Sequence, residues 1–190
     1  MDPRAEEILD FWFGRGAERG TVRKAWFAKD AAFDDSIRAR FLGLYEAAAA
    51  GRLAPWREHA AESLALVVLL DQFPRNMFRN SARAFAADAL ALDAARHAIA
   101  RGFDRVMLPV ERQFLYLPFE HSEALDDQLR ACELMRPLEE FPQTADAHRW
   151  ASKHLEIIER FGRFPHRNEI LGRASTPEEA EFLKQPGSSF

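Results

Sequence analysis

Residues Leu64–Asn80 read LALVVLLDQFPRNMFRN. Leu64 to Leu70 is an unbroken apolar run that passes straight into Asp71, Gln72, Arg75, Asn76 and Arg79, with Pro74 in the middle. A helix that is apolar on every side belongs at the centre of a protein. The charged and amide groups at its end must then be paired or face a ligand, because an unpaired charge in an apolar interior is costly. The segment therefore marks both the core and a candidate site, with Asp71 expected to be buried against an arginine.

Working outward, the flanking sequence reads as helices. Asp2-Pro3 opens one through Phe13, with Ile8, Leu9, Phe11, Trp12 and Phe13 making it heavily apolar and Gly14 and Gly16 stopping it. Thr21 caps a short segment holding Trp26 and Phe27. Asp30 caps a longer helix striped by Phe33, Ile37, Phe41, Leu44 and Ala48, ended by Gly51. Pro55-Trp56 begins the central helix, which runs to Gln72 or just past Pro74. A helix from Ala82 to Arg101 carries Phe85, Ala89, Leu92, Ala95 and Ile99 on one face. Pro109 starts another, kinked or broken at Pro118. Ser122 caps a helix with Leu125, Leu129, Cys132, Met135 and Leu138 inward. Thr144 caps one with Ala147, Trp150, Ala151, Leu155, Ile158 and Phe161 inward. Thr176-Pro177-Glu178-Glu179 is a capping box, and Phe182 and Leu183 dock this last helix on the body. No run alternates apolar and polar residues as a strand does, so the fold class is all-α, with short loops favouring antiparallel hairpins in a bundle or solenoid.

With 190 residues, 47% of them apolar, the chain reads as one helical domain over 1–185 and a loose tail over 186–190. Its single cysteine, Cys132, rules out an internal disulfide and suits a reducing cytoplasm, and it reads as core. The N-terminus lacks the basic-then-apolar order of a signal peptide. No apolar run approaches the roughly 20 residues that span a bilayer. A net charge of −4 speaks against general nucleic-acid binding. The expected location is cytoplasmic, without membrane or nucleic-acid partners.

Three helices end alike: Gln72-Phe73-Pro74-Arg75-Asn76, Tyr116-Leu117-Pro118-Phe119-Glu120-His121, and Arg163-Phe164-Pro165-His166-Arg167-Asn168. In each, an apolar residue precedes proline and polar groups come next. With one helix between each successive pair, antiparallel packing points all three ends to one rim. The expected ligand-binding residues are Asp71, Gln72, Arg75, Asn76, Arg79, Arg163, Arg167 and Asn168, the arginines being suited to carboxylate or phosphate in a forked geometry. Glu120, His121 and His166 are the candidate acid–base residues. Each has a structural counterpart: proline is ordinary stop chemistry and arginine favours a helix C-terminus. His154 reads as a core histidine, and His59, His97 and His148 as solvated. The His121–His166 spacing lacks zinc-site regularity, and there is no phosphate loop, dinucleotide fingerprint or serine elbow, so neither metal nor cofactor is expected.

ILDFWFG, LLDQFPRNMFR, ARAFAADALAL, FLYLPFEHSE and RFGRFPHRNEILGRASTPEE together resemble the bacterial domain-of-unknown-function family numbered 924, over about residues 8 to 183. The resemblance implies a tetratricopeptide-repeat-like array of antiparallel helix pairs; it brings no activity and no catalytic residues. Three functions stay open. The first is binding of a small anionic metabolite or an acidic peptide end at the polar mouth. The second is an interaction scaffold anchored by exposed aromatics such as Trp26, Trp56 or Phe190. The third is a hydrolase or lyase using Glu120, His121 or His166.

Overall fold

Every regular element among the described residues is helical. The computed structural model describes residues 1–26 and 28–188; Phe27 and Phe190 lie outside the described residues, as does the last of the 186–190 tail. In chain order α1 spans Pro3–Phe13, α2 Ala31–Ala49, α3 Ala60–Val67, α4 Phe73–Met77, α5 Asp88–Ala100, α6 Pro109–Glu120, α7 Leu125–Met135, α8 Ala147–Phe161 and α9 Pro177–Phe182. Short 3₁₀ turns fill many of the connections.

The central stretch is one continuous helix to Met77, with a single π turn, Val68–Gln72, joining α3 to α4. Pro74 explains the π turn: proline has no N–H to offer the carbonyl four residues back, and its ring crowds that carbonyl. The wider turn relieves this, with the Phe73 N–H reaching back five residues to the Val68 carbonyl. Leu64 to Leu70 are all buried, as are Phe73 and Met77. The segment is enclosed by α1, α2, α5 and α6, which pack on α3, the π turn or α4. Phe73 sits at the middle of an aromatic cluster, with ring centroids 4.8 Å from Phe41, 5.6 Å from Trp12 and 6.1 Å from Phe11. On the far side α6, α7 and α8 pack in succession. A smaller cluster of Ile157, Ile158 and Phe164, with Phe161 against Phe182 at 5.1 Å, docks α9.

Several local expectations are corrected. The segment from Ala82 is a 3₁₀ turn to Phe85, and α5 starts only at Asp88, so Ala89 faces outward and Phe85 lies off the helix. Thr144 does not cap α8; its hydroxyl donates to the Leu138 carbonyl at 2.7 Å from a buried position. Leu125, Leu129 and Trp150 are exposed rather than inward; α7 buries Asp127, Gln128, Ala131, Cys132 and Met135 instead. α6 continues through Pro118 to Glu120. Trp56 is buried, and half-buried Trp26 donates Nε1–H to the Trp12 carbonyl at 2.8 Å and stacks among Trp12, Phe13 and Phe114. Neither tryptophan is an exposed anchor. His97 is half-buried, with a buried Nε2, and His148 is also half-buried; of the three only His59 is exposed.

Phe73→Ala should destabilise the protein by about 3–5 kcal/mol, the usual cost of emptying a buried phenylalanine site. Urea unfolding checks this; a loss under about 1 kcal/mol would show that Phe73 is not central to the core.

Candidate functional site

Asp71 lies on the π turn and is fully buried. Its Oδ1 meets His121 Nδ1 at 2.8 Å and Arg75 Nη1 at 3.4 Å, and its Oδ2 accepts from Gln72 Nε2 at 2.6 Å. Burial pushes the carboxyl up, but the Arg75 charge and the His121 and Gln72 hydrogen bonds outweigh it, holding Asp71 well below the usual carboxylate range. Arg75 also caps the Asp71 carbonyl, Nη1 donating at 2.6 Å, and forks onto Asp88 at 2.9 and 3.0 Å. Asp88 is the first residue of α5, so the Asp71–Arg75–Asp88 chain ties the π turn to that helix start.

The end of α6 supplies Glu120 and His121. Its last carbonyls would be orphaned, and two side chains satisfy them. Gln128 Nε2, fully buried on α7, donates to the carbonyls of Glu120 at 2.7 Å and Ser122 at 2.6 Å. Arg167 Nη1 donates to the His121 carbonyl at 3.0 Å and lies 3.6 Å from Asp88. The guanidinium of Arg167 is flanked by the rings of Phe85 and Phe164, at 4.7 and 4.5 Å. Burial, reinforced by the Arg75 charge, lowers Arg167 to about 10, so it stays charged at neutral pH. Its Nε is buried without a hydrogen-bond partner.

Next to this charged chain is a neutral pair. Burial, with a smaller push from the Asp71 charge, raises Glu120 to about 8. His154 Nδ1 lies 3.2 Å from Glu120 Oε1 and 2.9 Å from the Trp150 carbonyl, and burial lowers this imidazole to about 3. At neutral pH Glu120 therefore keeps its proton and His154 is uncharged. His121 is lowered too, by burial and by Arg75, against the opposing pull of Asp71.

The structure thus brings together Asp71, Gln72, Arg75, Glu120, His121 and Arg167 from the three helix ends. It does not bring in the rest. Asn76 and Arg79 turn to Asp34 on α2, Asn76 Nδ2 donating at 2.7 Å. Arg163 forks onto Glu179 at 2.6 and 2.7 Å, and Asn168 donates to Ser175 and Glu179 at 3.1 and 3.3 Å. Both therefore support the capping box of α9. His166, half-buried beside Phe164 and lowered by burial and by Arg167 to about 4, stands at the edge of the cluster. The sequence places Phe85 on a helix face, Phe164 before a helix-end proline and His154 in the core, but marks none of them, nor Asp88, as a member of the site. The signal for Asp88 is an acid opposite Arg75 at the start of the next helix, which a helix beginning at Ala82 hides. Among the described residues no group of three or more His, Cys, Asp or Glu is arranged to hold a metal ion, and no helix is long and apolar enough to cross a membrane.

Comparison with known proteins gives two matches. The model of the family described as bacterial protein of unknown function (DUF924) matches residues 8–187. A solved structure of a protein of unknown function from Agrobacterium tumefaciens is 46% identical, with a TM-score of 0.85, covering 96% of this chain and 97% of that one. No curated protein matches.

Glu120 gives the stability of the protein a measurable pH dependence. In the folded protein the carboxyl holds its proton to about 8 instead of the ordinary 4.5, so the unfolded chain loses that proton first as pH rises. Stability is favoured at low pH by this group and falls as pH rises between those values, by up to about 1.4 kcal/mol per pH unit. Glu120→Gln should abolish this slope, so thermal melts of the two proteins from pH 5 to 9 should diverge as pH rises. Parallel curves would mean that Glu120 is ionised in the folded state.

Proposed function

This chain belongs to the bacterial family DUF924, and we propose that it binds a small anionic molecule, bearing a carboxylate or phosphate, at the rim where Arg167, Arg75 and His121 meet. The observation that carries the reading is the state of Arg167: side chain 8% exposed, flanked by Phe85 and Phe164, with Nη1 alone hydrogen-bonded and Nε left without an acceptor. A buried guanidinium presents five donors, and those it does not use call for an acceptor. Arg75 and Arg167 are balanced by Asp71 and Asp88, and Glu120 keeps its proton, so no unmatched negative charge among these five groups opposes an incoming anion. Of the eight ligand-binding candidates, the reading keeps Asp71, Gln72, Arg75 and Arg167, and assigns Asn76, Arg79, Arg163 and Asn168 to structural pairs.

The test is a thermal-shift titration with succinate, inorganic phosphate and a short peptide ending in two glutamates. A true ligand at 100 times its dissociation constant should stabilise by about 2.7 kcal/mol, a shift of several degrees. Arg167→Lys keeps the charge but loses the fork, and should weaken binding about tenfold or more. In the wild type affinity should fall as pH rises past about 8, where Glu120 ionises, and Glu120→Gln should remove that fall. Failure of all three probes, or an unchanged affinity in Arg167→Lys, would remove the proposal.

A further inference from the structure

We infer that Asp71 and His121 act as a general-base dyad that turns a water molecule on a carboxylic ester of a small anionic acid held at Arg167. This rests on the proposed binding of an anion there and adds a reaction to it. Asp71 is fixed on both oxygens, by His121 and Arg75 at Oδ1 and by Gln72 at Oδ2. An ionised carboxylate there accepts only from a protonated Nδ1, so the imidazole is locked as the Nδ1–H tautomer and Nε2 carries the lone pair. Nε2 forms no hydrogen bond with the described residues, and the side chain is 15% exposed, so the basic nitrogen is left for something that arrives from outside.

The neighbouring side chains decide the nucleophile. Ser122, the next residue, gives its hydroxyl to Asp127 at 2.7 Å and accepts from the Ala124 amide, and Cys132 is buried on α7 with its thiol pushed up by burial. Neither is an activated nucleophile, which leaves water. His121 Nε2 takes one proton from the water as its oxygen bonds to the acyl carbon, and the carbonyl electron pair moves onto the acyl oxygen. The intermediate collapses as the bond from acyl carbon to alcohol oxygen breaks, and the departing alkoxide takes the proton from His121. The products are the acid and the alcohol, and the dyad is returned unchanged.

The groups around His121 are Asp71 and Arg75 on the central helix, Asp88 on α5, Glu120 on α6, His154 on α8, and His166 and Arg167 beyond it. Burial and Arg75 lower the imidazole below its ordinary 6.5, so the base is available at neutral pH and the rate should rise with pH only below that value.

The probes are the mono-p-nitrophenyl ester of succinate and p-nitrophenyl acetate, with nitrophenolate release as the readout. The succinyl ester should be hydrolysed with a severalfold higher kcat/KM, since only it carries the carboxylate for Arg167. Asp71→Asn and His121→Gln should each lower kcat by about a hundredfold or more. Long-range ¹H–¹⁵N NMR of the wild type at pH 7 should show His121 protonated at Nδ1, which keeps the inference testable if the variants misfold. Hydrolysis no faster than with His121→Gln, or a His121 protonated at Nε2, would overturn the dyad. If succinate still raised the melting temperature, only the reaction would fall; if it did not, the binding reading would fall with it.

Discussion

The molecule is arranged around one buried charge. Asp71 has no contact with water, and a carboxylate in that position is tolerated only when partners replace its hydration. Those partners come from separate parts of the chain: Gln72 and Arg75 beside it on the central helix, and His121 from the end of α6. Arg75 extends the network to Asp88 at the start of α5, and Asp88 meets Arg167, which in turn holds the α6 carbonyl at His121. The circuit closes on itself. Removing one member leaves another buried charge unmatched, which costs more than the pair itself contributes.

Outside the circuit other arginines are committed as well. Arg79 goes to Asp34, Arg163 to Glu179, Arg173 to Glu123 and Arg96 to Asp127. Each joins segments far apart in sequence, and Arg79, Arg163 and Arg173 do so through the planar fork that arginine offers and lysine lacks. Arg173 illustrates the geometry: it forks onto Glu123 at 2.7 and 3.0 Å and also donates to Asn168 and to the Phe164 carbonyl. That anchors the loop carrying Arg167 against the α6–α7 junction. Arg167 differs because its neighbours are mainly aromatic faces, which fix its position without satisfying its donors.

Much of this was legible in the sequence, and the limits have physical causes. The all-helical fold, the central position of Leu64–Leu70 and the burial of Asp71 against an arginine followed from periodicity and from the cost of burying charge. The convergence of Asp71, Glu120, His121 and Arg167 followed from three similar helix ends. What failed was the assumption that every polar residue at those ends points the same way. Successive helical residues differ in direction by about 100°, so Asn76 reaches α2 while Arg75, beside it on α4, reaches α5, and Arg79, past the end of α4, also turns to α2. Arg163 and Asn168 turn to Glu179, whose place in the capping box hides its second role: the same carboxylate accepts from the Thr176 amide at 2.7 Å and from Arg163. Leu125, Leu129 and Trp150 show that apolar residues at helical spacing can also mark an outer face.

The π turn connects these layers of the structure. A regular α-helix through Leu70 and Pro74 would set the proline ring against the carbonyl of Leu70. Breaking the helix there would expose the Phe73 and Met77 face, both without solvent contact. The single wide turn avoids both outcomes, because it adds a residue without ending the helix and so rotates α4 relative to α3. Leu64 to Leu70 remain packed, Phe73 still reaches Phe41 and Trp12, and the carbonyl of Asp71 accepts from the Arg75 side chain. The same proline that looks like a stop signal in the sequence therefore places a carboxylate, a guanidinium and an imidazole in one small volume. A helix without it would have the hydrophobic core and no reason to hold Asp71 where His121 meets it.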